Sequence, residues 1–332
     1  MTFTFGSVCS GIEAASVAWH PLGWKTAWVS EIDPFASAVL AHRYPEVKNF
    51  GDFTTIPASA GPIDLLVGGT PCQSFSVAGL RGGLADDRGN LALEYFRLAA
   101  RLRPTWLVWE NVPGVLSSNG GRDFGAILGA MVELGYGFAY RVLDAQFFGV
   151  PQRRRRVFLV GHLGDWRRAA SVLFEPESLR RDPRSGGKKG KEAAREAADG
   201  AGGGVGVECF NAEGAEGVPF LPASNIGRHV NNQTPILTFH LTQDPISSDQ
   251  HTPALGATEA CLGVIDSRHA VRRLTPRECE RLQGFSDDWT LVPWRKGFSP
   301  DGPRYRALGN SMAVPVMRWI GERIATVDAE AK

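Results

Sequence analysis

The sequence predicts an α/β protein built on a doubly wound, mostly parallel sheet, with a second, smaller region of short strands and irregular chain. Three observations carry this reading. Residues 2–9 alternate and are β-rich, and Ser10-Gly11 turns them into a helix running to Trp19, a strand–turn–helix opening. Two apolar runs, Ile63-Asp64-Leu65-Leu66-Val67 and residues 104–109, stop abruptly at Gly-Gly-Thr-Pro and at Glu-Asn-Val-Pro, as buried strands do. Helical periodicity fills the intervals at residues 91–102 and 124–134.

A chain of 332 residues with 43% apolar content can bury a full core in one large or two modest domains. Residues 1–5 carry no basic segment and no cleavage site follows, so no secretory leader is expected, and no apolar run reaches membrane-spanning length. The cysteine number is 5, odd and scattered, which suits reduced thiols in a cytoplasmic protein. Net charge is +1 and by itself argues for no polyanionic partner. Residues 151–200, however, hold 13 Lys and Arg against 7 Asp and Glu, a local basic excess.

In the opening turn, Ser10 suits the cap of the first helix and Glu13 the positive end of its dipole, at capping-box spacing. Open α/β sheets hold nucleotide-like cofactors at such a turn, although a plain tight turn would look the same. Residues 26–30 form the second strand and Glu31-Ile32-Asp33 closes it. An acid about 20 residues past the first turn suits paired ribose hydroxyls, and an acid here also suits the cap of a helix over 34–42. Both hold if Glu31 takes the ribose and Asp33 the cap. Asp52 and Phe53, after Gly51, can touch a base or simply make a turn.

The strand at 63–67 leads into Gly68-Gly69-Thr70-Pro71-Cys72-Gln73-Ser74-Phe75-Ser76. Cys72 therefore lies on a loop at the carboxyl end of a central strand, where open sheets place their chemistry. Its Pro, Gln and Ser neighbours make poor core, which favours a nucleophile over a buried apolar thiol. Residues 79–90, rich in glycine and charge, read as a surface loop. Glu110 ends the strand at 104–109 on the same sheet edge, so a thiol and a carboxylate face one crevice. Gln152 and four arginines, Arg153 to Arg156, stand at the entrance of a strand over 157–161. Such a run is a solvated edge or a phosphate patch, and alternation puts Arg154 and Arg156 on one face.

Residues 180–207 have linker composition, and residues 208–266 are polar and turn-rich, with two similar strand entries at 233–237 and 251–255. Cys209, His229, His240, His251 and Cys261 lack the paired spacing of a zinc site, so no metal is expected. Residues 272–285 read as a capped helix, with Thr275 at the cap, Pro276 in the first position and Glu278 completing the box. Gly309-Asn310-Ser311 leads into an amphipathic helix over 316–324.

Taken together these residues resemble the cytosine carbon-5 DNA methyltransferases, of bacterial or phage type, over most of the chain and in the family's motif order. Pro71-Cys72-Gln73 is similar to the nucleophile motif, Glu110-Asn111-Val112 to the acid motif and Gln152 to Arg156 to the arginine motif, with residues 272–285 and Gly309-Asn310-Ser311 as the last two. The family's first loop usually carries several glycines; here Gly11 matches, while Glu13 and Ala14 stand in glycine positions. An aromatic sometimes found beside the ribose acid is Ile32 in this chain.

The resemblance implies a Rossmann-like, S-adenosylmethionine-dependent catalytic domain over residues 1–178, a flexible linker over 179–207 and a mostly β or irregular target-recognition domain over 208–300. A C-terminal helix over 301–326 would return to the catalytic domain. It implies S-adenosyl-L-methionine as cofactor, leaving as S-adenosyl-L-homocysteine, held by Cys9, Ser10, Gly11, Ile12, Glu31, Ile32, Asp52, Phe53, Pro71, Leu91, Asn310, Ser311 and Met312. Cys72 would add to ring carbon 6 of a flipped cytosine and Glu110 would assist at ring nitrogen 3, with Arg154 and Arg156 holding the nucleotide. The partner implied is double-stranded DNA, met by Gln73, Ser76, Arg88 and Gln152. Arg228, Asn231, Asn232 and Gln233 have the chemistry to read base edges. A monomer acting in the cytoplasm at the nucleoid is expected. Two rivals share the scaffold, an RNA cytosine methyltransferase and a catalytically silent DNA-binding relative; a thiol enzyme of other chemistry lacks a histidine placed to pair with Cys72.

Overall fold

The computed structural model describes residues 2–71, 91–174, 207–208, 236–240, 262–265 and 271–330. The central sheet has seven strands: β1 (Thr4–Val8), β2 (Lys25–Ser30), β3 (Lys48–Asn49), β4 (Leu65–Gly68), β5 (Trp106–Asn111), β6 (Tyr136–Asp144) and β7 (Arg155–Leu163). Their order is β3-β2-β1-β4-β5-β7-β6. The first five are parallel, and β7 runs antiparallel between β5 and β6. Carboxyl ends of β1, β2, β4 and β5 thus share one edge. Between the parallel strands run helices α1 (Ala14–Trp19), α2 (Pro34–Arg43) and α3 (Leu91–Leu102); α4 (Arg122–Glu133) joins β5 to β6 and α5 (Trp166–Leu173) follows β7.

The two-residue period of a strand explains the two cores. Leu65, Val67, Trp106 and Val108 bury on the face that packs α1 and α5, while Leu66, Leu107 and Trp109 bury on the face that packs α3 and α4. Tyr95 of α3 ties the second face together, its hydroxyl donating to the carbonyls of Leu66 (2.8 Å) and Val108 (3.1 Å).

Three local expectations change. The first helix starts at Ala14, with Glu13 itself as the cap; the Ser10 hydroxyl oxygen instead accepts from Ser30 N at 3.1 Å while its proton goes to the Ser7 or Ser30 carbonyl. β5 runs on through Asn111, so Glu110 lies within the strand, not past its end. Helix α5, capped by Asp165, is additional to the elements read from the sequence.

The second region contributes β8 (Val207–Glu208), β9 (Ile236–His240), β10 (Leu262–Ile265) and β11 (Val271–Arg273), in the order β11-β10-β9-β8. The strand entry expected at 233–237 meets β9 at Ile236, and that at 251–255 lies outside the described residues. Helix α6 (Pro276–Gln283) has the expected capping box, with Glu278 Oε2 accepting from Thr275 N at 2.6 Å. A two-stranded ribbon, β12 (Pro293–Trp294) with β13 (Gly297–Phe298), then leads to α7 (Asp301–Asn310) and α8 (Val314–Ala329).

Leu274, Cys279, Leu282, Phe285 and Val292 belong to the same core as Phe5, Trp19 and Val108. These residues fall within the stretch expected as the target-recognition domain, 208–300. The sequence showed only polar residues around these apolar ones, and their common burial is a tertiary fact. Trp289 Nε1 donates to Ile12 O (3.0 Å) and Trp19 Nε1 to Met317 O (2.6 Å), locking this segment to the first loop and to α1. Among the described residues no helix is long and apolar enough to cross a membrane.

A buried ion pair holds α6 to α7: Arg304 Nη2 lies 3.1 Å from Glu280 Oε1, and both side chains are almost fully enclosed. Replacing Arg304 with Met would leave the Glu280 carboxylate buried without its charge partner. Urea unfolding of Arg304→Met should show a loss of about 3–5 kcal/mol; a loss below about 1 kcal/mol would mean that the pair does not hold the segment.

Candidate active site

At the carboxyl edge of the sheet, alternation along β5 divides three consecutive residues between two tasks. Trp109 Nε1 donates to Thr70 Oγ1 and Asn111 Nδ2 to Thr70 O, each at 2.9 Å, so two side chains of one face pin the residue that leads to Cys72. Glu110, between them, turns its carboxylate to the other face, where Oε1 lies 3.1 Å from Arg156 Nε. Burial pushes the Glu110 pKa up; Arg156 and, less, Arg154 pull it back without cancelling the rise. A Cβ on Gly69 would lie 2.9 Å from Glu110 Oε2 and 3.1 Å from Met312 Cε, so the missing side chain is what gives the carboxylate its place.

Arg154 is held differently from Arg156. It lies just before β7, is 3% exposed, and its Nη2 donates to the carbonyls of Gly309 (3.0 Å) and Ser311 (2.7 Å). Expected to face the crevice with Arg156, it instead clamps the segment after α7 to the mouth of β7, because two backbone carbonyls there need a donor. Gln152, expected against DNA, is fully buried. Arg156 is the half-buried member of the motif that stands at the carboxylate.

A small cleft opens at this edge. Cys9, Ser10 and Gly11 line it from the first loop, Asn310, Ser311 and Met312 from the C-terminal segment, and Glu110 from β5. Gly11 makes the turn with φ of 55°, and the Cys9 thiol is pushed up to about 12 by burial and the negative charges of Glu31 and Asp52. Sequence reasoning missed Ser7, Glu13 and Gly69 as lining residues. For Glu13 a signal existed, a carboxylate in a position usually given to glycine.

Other expected cofactor residues stand around the cleft, not in its wall. Glu31 accepts from Gly11 N and Asp33 N, both at 2.7 Å, which fastens the end of β2 to the first loop and leaves each oxygen a second lone pair. Ile32 is 75% exposed beside it, an open apolar surface. Asp52 caps a short turn through Thr54 N (2.9 Å). Ile12 and Phe53 are core residues and offer only backbone, since their side chains are buried. Pro71 is exposed, and Leu91 packs against the second core. Cys72, Gln73, Ser76, Arg88, Arg228, Asn231, Asn232 and Gln233 lie outside the described residues.

The family profile described as C-5 cytosine-specific DNA methylase matches residues 3–193 and 221–326. The chain belongs to the C-5 cytosine-specific DNA methylase family. Type II methyltransferase M2.BsuMI of Bacillus subtilis (strain 168) is 32% identical over 96% of this chain and 74% of its own length. A protein of Escherichia phage P1 called DNA N-6-adenine-methyltransferase is 38% identical over 96% of this chain, which spans 61% of that relative's length. The fold is shared with Entamoeba histolytica methyltransferase EhMeth, at TM-score 0.64 and 15% identity over 100% of this chain and 99% of that one. It is also shared with the S. pombe Dnmt2 methyltransferase, at TM-score 0.60 and 17% identity over 98% and 99%.

S-adenosylmethionine is the methyl donor of this methylase family. The cleft suits a group that is cationic at its sulfonium and its amine: Glu13 and Glu110 both line it, and Glu13 Oε2 is buried without a hydrogen-bond partner. Gly69→Ala should leave the urea midpoint nearly unchanged, since the displaced atoms are the ends of flexible side chains. Methyl transfer in a single turnover should fall by about tenfold or more, because the carboxylate is moved. An unchanged rate would show that the position of Glu110 at Gly69 does not matter.

Proposed function

We propose that this protein methylates carbon 5 of cytosine within a short recognition sequence of double-stranded DNA. The observation that carries the proposal is the half-buried Glu110 carboxylate, paired with Arg156 and set beside the strand end that leads to Cys72.

Carbon 5 of cytosine is too weak a nucleophile to take a methyl group unaided, and adding a thiolate at carbon 6 makes the ring enamine-like. Cys72 is the thiolate of this proposal. Glu110, its pKa raised by burial, carries the proton that ring nitrogen 3 needs as charge develops there. Arg156 holds the Glu110 carboxyl in place and faces the extruded nucleotide, and Arg154 positions the segment at Gly309 to Ser311. The first loop, Glu31 and the Asn310 segment would hold S-adenosylmethionine, which supplies an electrophilic methyl group and departs as S-adenosylhomocysteine. Loss of the carbon-5 proton then expels Cys72 and restores the ring. The target carbon is shielded inside a duplex, so the base must first be flipped out. Base reading falls to residues 208–271, with Arg228, Asn231, Asn232 and Gln233 among its candidates. A monomer acting on cytoplasmic, nucleoid DNA belongs to the same proposal; the restriction–modification or phage DNA protection role is supported by the bacterial and phage origin of the relatives.

The name of the phage P1 relative favours a second reading, methylation of adenine N6. The amino nitrogen of adenine needs no thiolate adduct, so the two readings differ at Cys72. Nucleoside mass spectrometry and bisulfite sequencing of DNA from expressing cells should find 5-methylcytosine in one short context, absent with Cys72→Ala. N6-methyladenine that survives in Cys72→Ala would establish the second reading, and methylation confined to RNA would overturn both.

Glu110→Gln should slow single-turnover methyl transfer about a hundredfold or more. Because Glu110 is raised, its protonated form persists to higher pH, and the rate should fall as pH climbs through that pKa. Arg156 lowers this pKa, so Arg156→Gln should move the falling limb to higher pH. A limb that stays in place would remove Glu110 from the proton transfer.

A further inference from the structure

Glu13 combines three costs that a plain helix cap avoids. Its backbone holds φ 66° and ψ 60°, a left-handed conformation that costs a side chain-bearing residue about 1 kcal/mol and that glycine adopts freely. Its side chain is fully buried. Its Oε1 does the capping, accepting from Ser16 N at 3.1 Å and Ser16 Oγ at 3.0 Å, while Oε2 is enclosed with no hydrogen-bond partner. A cap needs one oxygen. Backbone strain kept together with a buried, half-satisfied carboxylate points to a task for the second oxygen.

The surroundings define that task. Glu13 lines the cleft together with Ser7, Ala14 and Ala15, where β1 turns into α1. In the sheet this loop lies between β2, whose end carries Glu31, and β4 and β5, whose ends carry Gly69 and Glu110. No Lys, Arg or His among the described residues is paired with Glu13, so a charged carboxylate there lacks a counter-ion from the protein.

We propose that Glu13 is a cofactor-binding residue that receives the α-ammonium group of the cofactor's amino-acid end. The inference rests on the cofactor reading given above. An ammonium brings the donors and the positive charge that Oε2 lacks, and it makes the hydrogen bond a charge-assisted one. Burial pushes the Glu13 carboxyl up to about 7 against its hydrogen bonds from Ser16, as expected of an acid whose cation arrives only with the ligand. Where glycine occupies this position, the turn is relaxed but carries no charge; this chain accepts the strain and gains an anchor.

Isothermal titration with two probes tests the assignment. S-adenosylhomocysteine carries the amino-acid end, whereas 5′-methylthioadenosine shares its nucleoside and sulfur but lacks that end. Glu13→Gln keeps an oxygen for the cap and should weaken S-adenosylhomocysteine about 10- to 100-fold, with 5′-methylthioadenosine changed less than about twofold. Glu13→Gly, which suits the left-handed turn, should give the same split if Glu13→Gln folds poorly. Equal losses for both probes would mean a structural role, and no loss for either would remove Glu13 from the site; both outcomes overturn the proposal. Failure of the unsubstituted protein to bind either probe would instead overturn the cofactor reading, and the proposal with it.

Discussion

The placement of one carboxylate governs the arrangement of this site. Glu110 is turned out of β5 into a nearly dry corner, where its charge is costly and its proton is held more firmly than water would hold it. The corner exists because four neighbours permit it. Gly69 omits the side chain that would occupy it, Arg156 supplies the countercharge, and Trp109 and Asn111, on the opposite face of the strand, keep the adjoining chain at Thr70 from drifting. A single alternating strand thus fixes an acid and the root of the Cys72 loop with respect to each other.

The other wall of the cleft comes from more than 200 residues later in the chain, and polar anchors bring it there. Arg154 binds the carbonyls of Gly309 and Ser311, Gln283 binds Leu308 O at 2.9 Å, and Trp289 binds Ile12 O at 3.0 Å. Each gives a side-chain donor to a backbone carbonyl at the helix end or loop that forms this wall. The Glu280–Arg304 pair braces the helices that carry this wall. Cofactor wall, acid and arginine therefore form one connected unit, and a change in the C-terminal segment reaches the chemistry without touching it.

Much of this was legible in the sequence because it depends on local pattern. Continuous apolar runs at 65–67 and 106–109 give central strands buried on both faces, and Thr275, Pro276 and Glu278 give a capped helix at its observed start. Glu110 was legible because an acid at the end of an apolar run has few structural duties. What escaped depends on partners far away in the chain. Arg154 and Arg156 look alike in a run of four, and only the carbonyls of Gly309 and Ser311 make one of them a buried brace. Residues 274–292 read as part of the recognition region, since their few apolar side chains become core only in the folded chain, beside α7 and the end of α2. Glu13 read as the capping-box partner of Ser10; its place where the family usually has glycine was the one sign of a left-handed turn, and nothing in the spacing showed an enclosed second oxygen.

The most direct test of the account is covalent trapping on DNA whose target cytosine carries fluorine at carbon 5. Fluorine cannot leave as a cation, so an enzyme that adds a thiolate at carbon 6 and then methylates carbon 5 becomes stranded on its substrate. The account predicts a denaturant-resistant protein–DNA complex that forms only with S-adenosylmethionine present and maps by peptide mass spectrometry to Cys72. Full methylation activity with no adduct, or an adduct on another residue, would contradict it.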